Sequence, residues 1–134
     1  MPAMHSFDYA LLRLVPHVER EEFVNVGVIL FCRTLRFLDC RVHLDEARLA
    51  ALAPAFDAAA AKAQLDLTPL LCAGGPAAGA IGALDQAERF RWLTSPRSTV
   101  LQVSSVHCGL CADPQAALDD LFRRLVFSPA LPIP

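Results

Sequence analysis

A chain of 134 residues, 54% hydrophobic and 19% charged with a formal net charge of -2, is sized for one domain that buries roughly two-thirds of the surface its unfolded form would expose. It has no basic field and no Lys/Arg run that would track phosphates, so nucleic acid is not an expected ligand. Its five cysteines, odd in number and scattered through strand and helix patterns, argue against a secreted disulfide scaffold, while the apolar excess points to a well-filled core, a sticky surface that meets a partner, or both.

The first residues, MPAMHSFDYA, lack the basic segment and continuous apolar run of a signal peptide. Asn25, Arg33 and Arg36 interrupt the most hydrophobic region well short of the ~20 apolar residues of a membrane span. A cytoplasmic protein without membrane attachment is therefore expected. Phe7 to Val15 reads as a strand that Pro16 ends. Arg20 to Phe31, REEFVNVGVILF, is the longest strand-favouring run and the predicted central strand. The two-residue period sets Val24, Val26, Val28 and Leu30 on one face, and Phe23, Asn25, Gly27, Ile29 and Phe31 on the other. The short connection Pro16 to Glu22 makes the two strands an antiparallel hairpin. If that connection is the whole loop, Arg13 lies directly opposite Asn25, about 5 Å away at Cβ. A turn through Arg33, Thr34 and Leu35 leads to a third strand, Arg36 to Leu44, with Leu38, Cys40, Val42 and Leu44 toward the core. The product is a three-stranded meander whose far face displays Arg13, Asn25, Asp39, Arg41 and His43 among large apolar side chains.

Asp45 caps a helix from Glu46, and Pro54 divides it from a second helix running to about Leu65, with a further turn over Thr68 to Cys72. Ala73 to Gly82, AGGPAAGAIG, is too rich in glycine for regular structure and reads as a loop. A helix follows from about Ile81 to Leu93, then a fourth strand over Thr99 to Val106. Asp113 and Pro114 are a cap and first-turn pair for a last helix with Leu118, Leu121, Phe122, Leu125 and Val126 at helical spacing. The proline-rich tail, Ser128 to Pro134, reads as extended or disordered, which leaves about 6–127 as the ordered part of a single domain over 1–134.

Four local features carry possible chemistry. Cys108 and Cys111 form a C-x-x-C pair with His107 before it, a spacing used by zinc sites and redox dithiols. With no second pair, the reading that fits best is two thiols without either role, and no metal or cofactor is expected. Arg13 and Asn25 share a strand face with Gly27, where a central-strand glycine marks close approach of another backbone or a ligand; the competing reading is a hydrogen-bonded polar pair beneath a covering element. Glu22 sits at the strand mouth, in reach of Arg20 or Arg13. Pro96 to Thr99 presents Arg97, Ser98 and Thr99 together, a set that holds a phosphate or carboxylate or simply forms a strand-initiating turn. GGPAAG lacks the Lys and Ser/Thr of a P-loop, and no Ser-His-Asp or Cys-His-Asn arrangement can be assembled.

REEFVNVGVILF, ERFRWL from Glu88, PRSTV from Pro96, and VHCGL with Asp113-Pro114, in that order, resemble the bacterial domain-of-unknown-function family 3037 over about Phe7 to Val126. The matching positions are Arg20, Glu22, Phe23, Asn25, Gly27, Arg89, Phe90, Arg97, Ser98, Thr99, His107, Gly109 and Asp113. The family has no established activity. The resemblance implies a small cytoplasmic protein of the kind often encoded beside a protein similar to the HipA-type serine/threonine kinases of toxin–antitoxin systems, which makes a HipA-like kinase the leading partner.

The expected architecture is α+β, an antiparallel sheet of about four strands with the helices packed on one face. Two functions follow: an accessory module that binds the kinase-like partner through the mixed sheet face or an edge, or a small enzyme or anion- or nucleotide-binding protein using Arg13, Glu22, Asn25, Arg97 and Ser98. A homodimer is compatible with both.

Overall fold

The structure, a computed structural model, describes residues 2–97 and 99–127. Its frame is one antiparallel sheet of five strands: β1 His5–Leu14, β2 Val24–Cys32, β3 Phe37–Val42, β4 Leu101–Val103 and β5 His107–Cys111. The order is β3-β2-β1-β4, with β5 also on β1, so the N-terminal meander forms as its alternation and short turns predict. β4 and β5 lie end to end along the free edge of β1, at Leu12–Leu14 and His5–Tyr9 respectively. Ser104 marks the break between them. Its hydroxyl accepts the Leu11 N–H at 2.8 Å while its own N–H donates to the Leu11 carbonyl, which keeps buried main-chain groups paired across the interruption. The fifth strand is an addition to the expected set: HCGLC reads as a motif, yet its backbone completes the sheet.

A β-bulge corrects the predicted faces of β2. Leu12 pairs with Gly27 but Arg13 pairs with Asn25, leaving Val26 as the extra residue on β2. The alternation therefore shifts by one, as a bulge requires. Val24 and Val26 join Ile29 and Phe31 in one core cluster, while Val28, Leu30 and Cys32 join another. Gly27 is the residue that permits this. A β-carbon there would lie 2.9 Å from the Arg41 carbonyl oxygen, 3.0 Å from Leu12 Cδ1 and 3.1 Å from Val42 Cγ1. The close approach is made by the protein's own backbone and core.

Helices cover both faces, which corrects the expectation of one. On the first, α1 Glu46–Leu52, α2 Ala59–Ala73 and α4 Gln86–Leu93 contribute Leu49, Ala61, Leu65, Cys72, Phe90 and Leu93 to the cluster with Ile29 and Phe31. On the second, α5 Pro114–Leu125 and the residue after it supply Leu118, Leu121 and Val126 to the cluster with Val28 and Leu30. β2 carries apolar side chains on both sides, so each face demands a cover. Local signals set the helix starts: the carboxylates of Asp45, Asp85 and Asp113 accept the N–H groups of Arg48, Glu88 and Gln115. α2 starts later and runs longer than predicted, through Pro69 to Ala73. The glycine-rich stretch folds into a 3-10 turn, Pro76–Ala78, and one turn of helix, α3 Gly79–Gly82. The predicted tail, 128–134, lies outside the described residues.

Candidate functional site

The hairpin predicted from the sequence places Arg13 directly opposite Asn25. Their side chains then serve different neighbours. Asn25 donates from Nδ2 to the Leu125 carbonyl at 3.1 Å, tying down the C-terminal end of α5, and Arg48 Nη1 donates to the Val126 carbonyl at 2.8 Å. Arg41 pairs with Asp119 at 3.0 Å, and His43 stacks on Phe127 with ring centroids 4.7 Å apart. The mixed sheet face is thus the seat of α5. Most of its polar residues are spent on docking that helix, the covered arrangement that competes with an exposed site. Asn25 Oδ1 and Arg13 Nε are nevertheless buried with no partner among the described residues.

Arg13 faces a cleft of about 450 Å³ lined also by Glu21, Phe23, Arg97 and Gln102. Three elements build it. Arg13 and Gln102 are paired residues of β1 and β4, while Glu21 and Phe23 belong to the β1–β2 connection. That connection makes a 3-10 turn, Val18–Arg20, closed by Glu21 in the left-handed region at φ 56° with its N–H on the Val18 carbonyl. Arg97 arrives from the segment after α4. The Arg13 guanidinium lies 4.3 Å from the centroid of the Phe23 ring, and that of Arg97 lies 4.8 Å from the Trp92 ring. Arg97 also donates to the Trp92 carbonyl at 3.2 Å. Aromatic faces hold both cations in place without neutralising them. Among the described residues, two permanent positive charges line the cleft against the one carboxylate of Glu21, a balance suited to a carboxylate or phosphate.

Of the residues singled out from the sequence, then, Arg13 and Arg97 come together. Glu22 instead forms an exposed ion pair with Arg20, Asn25 holds α5, and Ser98 lies outside the described residues. Val15, Val18, Glu21, Phe23 and Gln102 also line the cleft, and none of them is among the site residues expected from the sequence. Gln102 is invisible without knowing which strand takes the free edge of β1, and Glu21 adjoins the carboxylate that was chosen in its place.

The C-x-x-C pair is split by its strand. Cys108 is exposed and Cys111 buried, as positions of opposite parity require. The Cys108 thiol donates to Asp8 at 3.3 Å; that hydrogen bond and the adjacent carboxylate push its pKa up. Burial, with Cys32 nearby, does the same for Cys111. Raised thiol pKa values oppose the thiolate that redox or nucleophilic chemistry uses. Among the described residues no three of His, Cys, Asp and Glu gather as a metal site, and no helix is long and apolar enough to cross a membrane.

No curated protein and no solved structure matches this chain. A family model does match, over residues 9–126, from the middle of β1 through the other four strands to the end of α5. The chain belongs to the family described as protein of unknown function (DUF3037).

Proposed function

We propose that the protein is a single-domain, non-catalytic accessory module that recognises an anionic group on a partner protein at the Arg13/Arg97 cleft. The observation that carries this reading is the presence of two arginines, Arg13 stacked on Phe23 and Arg97 on Trp92, in the lining of one open depression. The occupation of the mixed sheet face by α5 directs a partner to the cleft instead. A HipA-like kinase, the partner implied by the resemblance, is the first candidate. Co-expression with that neighbour in a bacterial cytoplasm, followed by gel filtration, is expected to give a complex that Arg13→Ala or Arg97→Ala weakens about ten-fold or more. Elution of the wild-type chain apart from the kinase overturns the choice of partner. The same column run tests for a homodimer, for which the exposed apolar residues Val106 and Leu110 are the candidate surface.

A second reading is favoured by Glu21, the carboxylate that lines the cleft beside both arginines. A nucleotide or other phosphorylated small molecule fits the same charges, and an enzyme acting on it would use Glu21 as its base. A nucleotide that raises the melting temperature, and is turned over by wild type but not by Glu21→Gln, supports this reading over the first.

A further inference from the structure

The cleft does not end at Arg97. The same residue borders a second depression of about 350 Å³, with Leu12, Leu93 and Leu101 beneath and Leu67, Leu71 and Trp92 along its walls. Two of these are notably open to water, Leu67 at 54% and Trp92 at 41% of their surface. Among the described residues, Arg97 is the one charged group that lines this trough. An apolar trough between α2 and α4, with a cation at one end and a second cation beyond it, has a definite chemical complement. It is an apolar group followed at short distance by an anion.

We infer that the trough and the cleft form one docking surface for a peptide segment of a partner protein, in which large aliphatic or aromatic side chains precede an acidic residue. The apolar side chains cover Leu67, Leu71 and Trp92, and the carboxylate reaches Arg97. This inference rests on the reading of the cleft as an anion site and names what is attached to the anion. A peptide fits better than a free acyl chain for two reasons. The trough is open, so a bare chain would leave much of its own surface in water, whereas a peptide brings its own polar cover. Gln64 and Thr99 border the same trough: the Gln64 amide can both donate to and accept from a peptide main chain, and the Thr99 hydroxyl, which already donates to the Leu101 carbonyl at 2.9 Å, keeps acceptor capacity for a peptide N–H.

The test begins with selection of a random heptapeptide phage library on the full chain and continues with the selected peptide in solution. Trp92, the only tryptophan, is an intrinsic reporter on the trough wall. Selected sequences are expected to share an aliphatic or aromatic residue followed within a few positions by Asp or Glu, and binding is expected to move Trp92 emission to the blue. Leu67→Gln, at an exposed position that leaves the core intact, is expected to weaken binding about ten-fold. Arg97→Gln is expected to abolish the preference for the Asp peptide over its Asn counterpart. The inference is overturned if no such pairing is enriched, if Leu67→Gln binds like wild type, if Arg97→Gln keeps the Asp preference, or if dodecanoate moves Trp92 emission more than the peptide does. Inorganic phosphate separates the two levels: where it still binds at Arg13 and Arg97, the failure belongs to the trough alone.

Discussion

A cation in this protein is held by whatever surrounds it, and the arginines divide by what that is. Arg13 and Arg97 lie on aromatic rings in the lining of a cleft, where the proposed anion would bind. Arg89 is 8% exposed and works inward. Its Nη1 donates to the Leu84 carbonyl at 2.6 Å and its Nη2 to the Cys72 carbonyl at 3.3 Å, near the C-terminal end of α2 where the helix dipole favours a cation. Gly74, at φ 75°, packs on the same guanidinium, where a β-carbon would lie 2.8 Å from Cζ. Arg89→Ala is expected to cost about 2–3 kcal/mol in urea denaturation, from lost charge-assisted hydrogen bonds and carbonyls left unpaired. Arg89→Lys is expected to recover little, because one ammonium does not span both carbonyls as the planar fork does. The motif ERFRWL advertised this residue without saying that it serves the fold.

Among the elements, the legible features were those that depend on neighbours in sequence. Asp45 and Asp113 were readable as caps because a cap is satisfied within three residues. The pairing of Arg13 with Asn25 was readable from the loop length. The bulge at Val26 was not, since it depends on crowding of Gly27 by Leu12, Val42 and the Arg41 carbonyl, all brought in from other strands. One inserted residue moved Val28 and Leu30 to the other face, and with them the requirement for a second covering helix. Gly27→Ala is expected to cost about 1–3 kcal/mol by overpacking, measured as a fall in the denaturation midpoint. An unchanged midpoint would contradict the contacts assigned to the bulge. The cleft was half legible for the same reason: Arg13 and Arg97 have the right chemistry, but Gln102 joins them only through the β1–β4 pairing.

At the scale of the whole molecule, the sheet separates two cores, and each contains thiols. Cys40 is pushed above the ordinary thiol range by its hydrogen bond with Cys72 and by burial, and Cys111 on the other side by burial first. The sign of the linkage follows from the unfolded chain, whose cysteines release protons near pH 8.5. Above that pH the unfolded state binds fewer protons than the native state, so stability present below it is lost as pH rises. The melting temperature is expected to fall between about pH 8 and 10, and Cys40→Ala to flatten that fall. A melting temperature independent of pH across this range would contradict the assignment of buried, protonated thiols on both sides of the sheet.

All of these devices hold the frame around the Arg13/Arg97 cleft, and the proposed binding of an anion there is open to direct observation. In a ¹H–¹⁵N spectrum of the arginine Nε–H groups, titration with inorganic phosphate against a chloride control is expected to shift Arg13 and Arg97 together along one binding curve. Arg20, already paired with Glu22 on the surface, is expected to stay in place. Shifts confined to exposed arginines such as Arg33 and Arg36, or Arg13 and Arg97 moving with unrelated curves, would contradict a shared site.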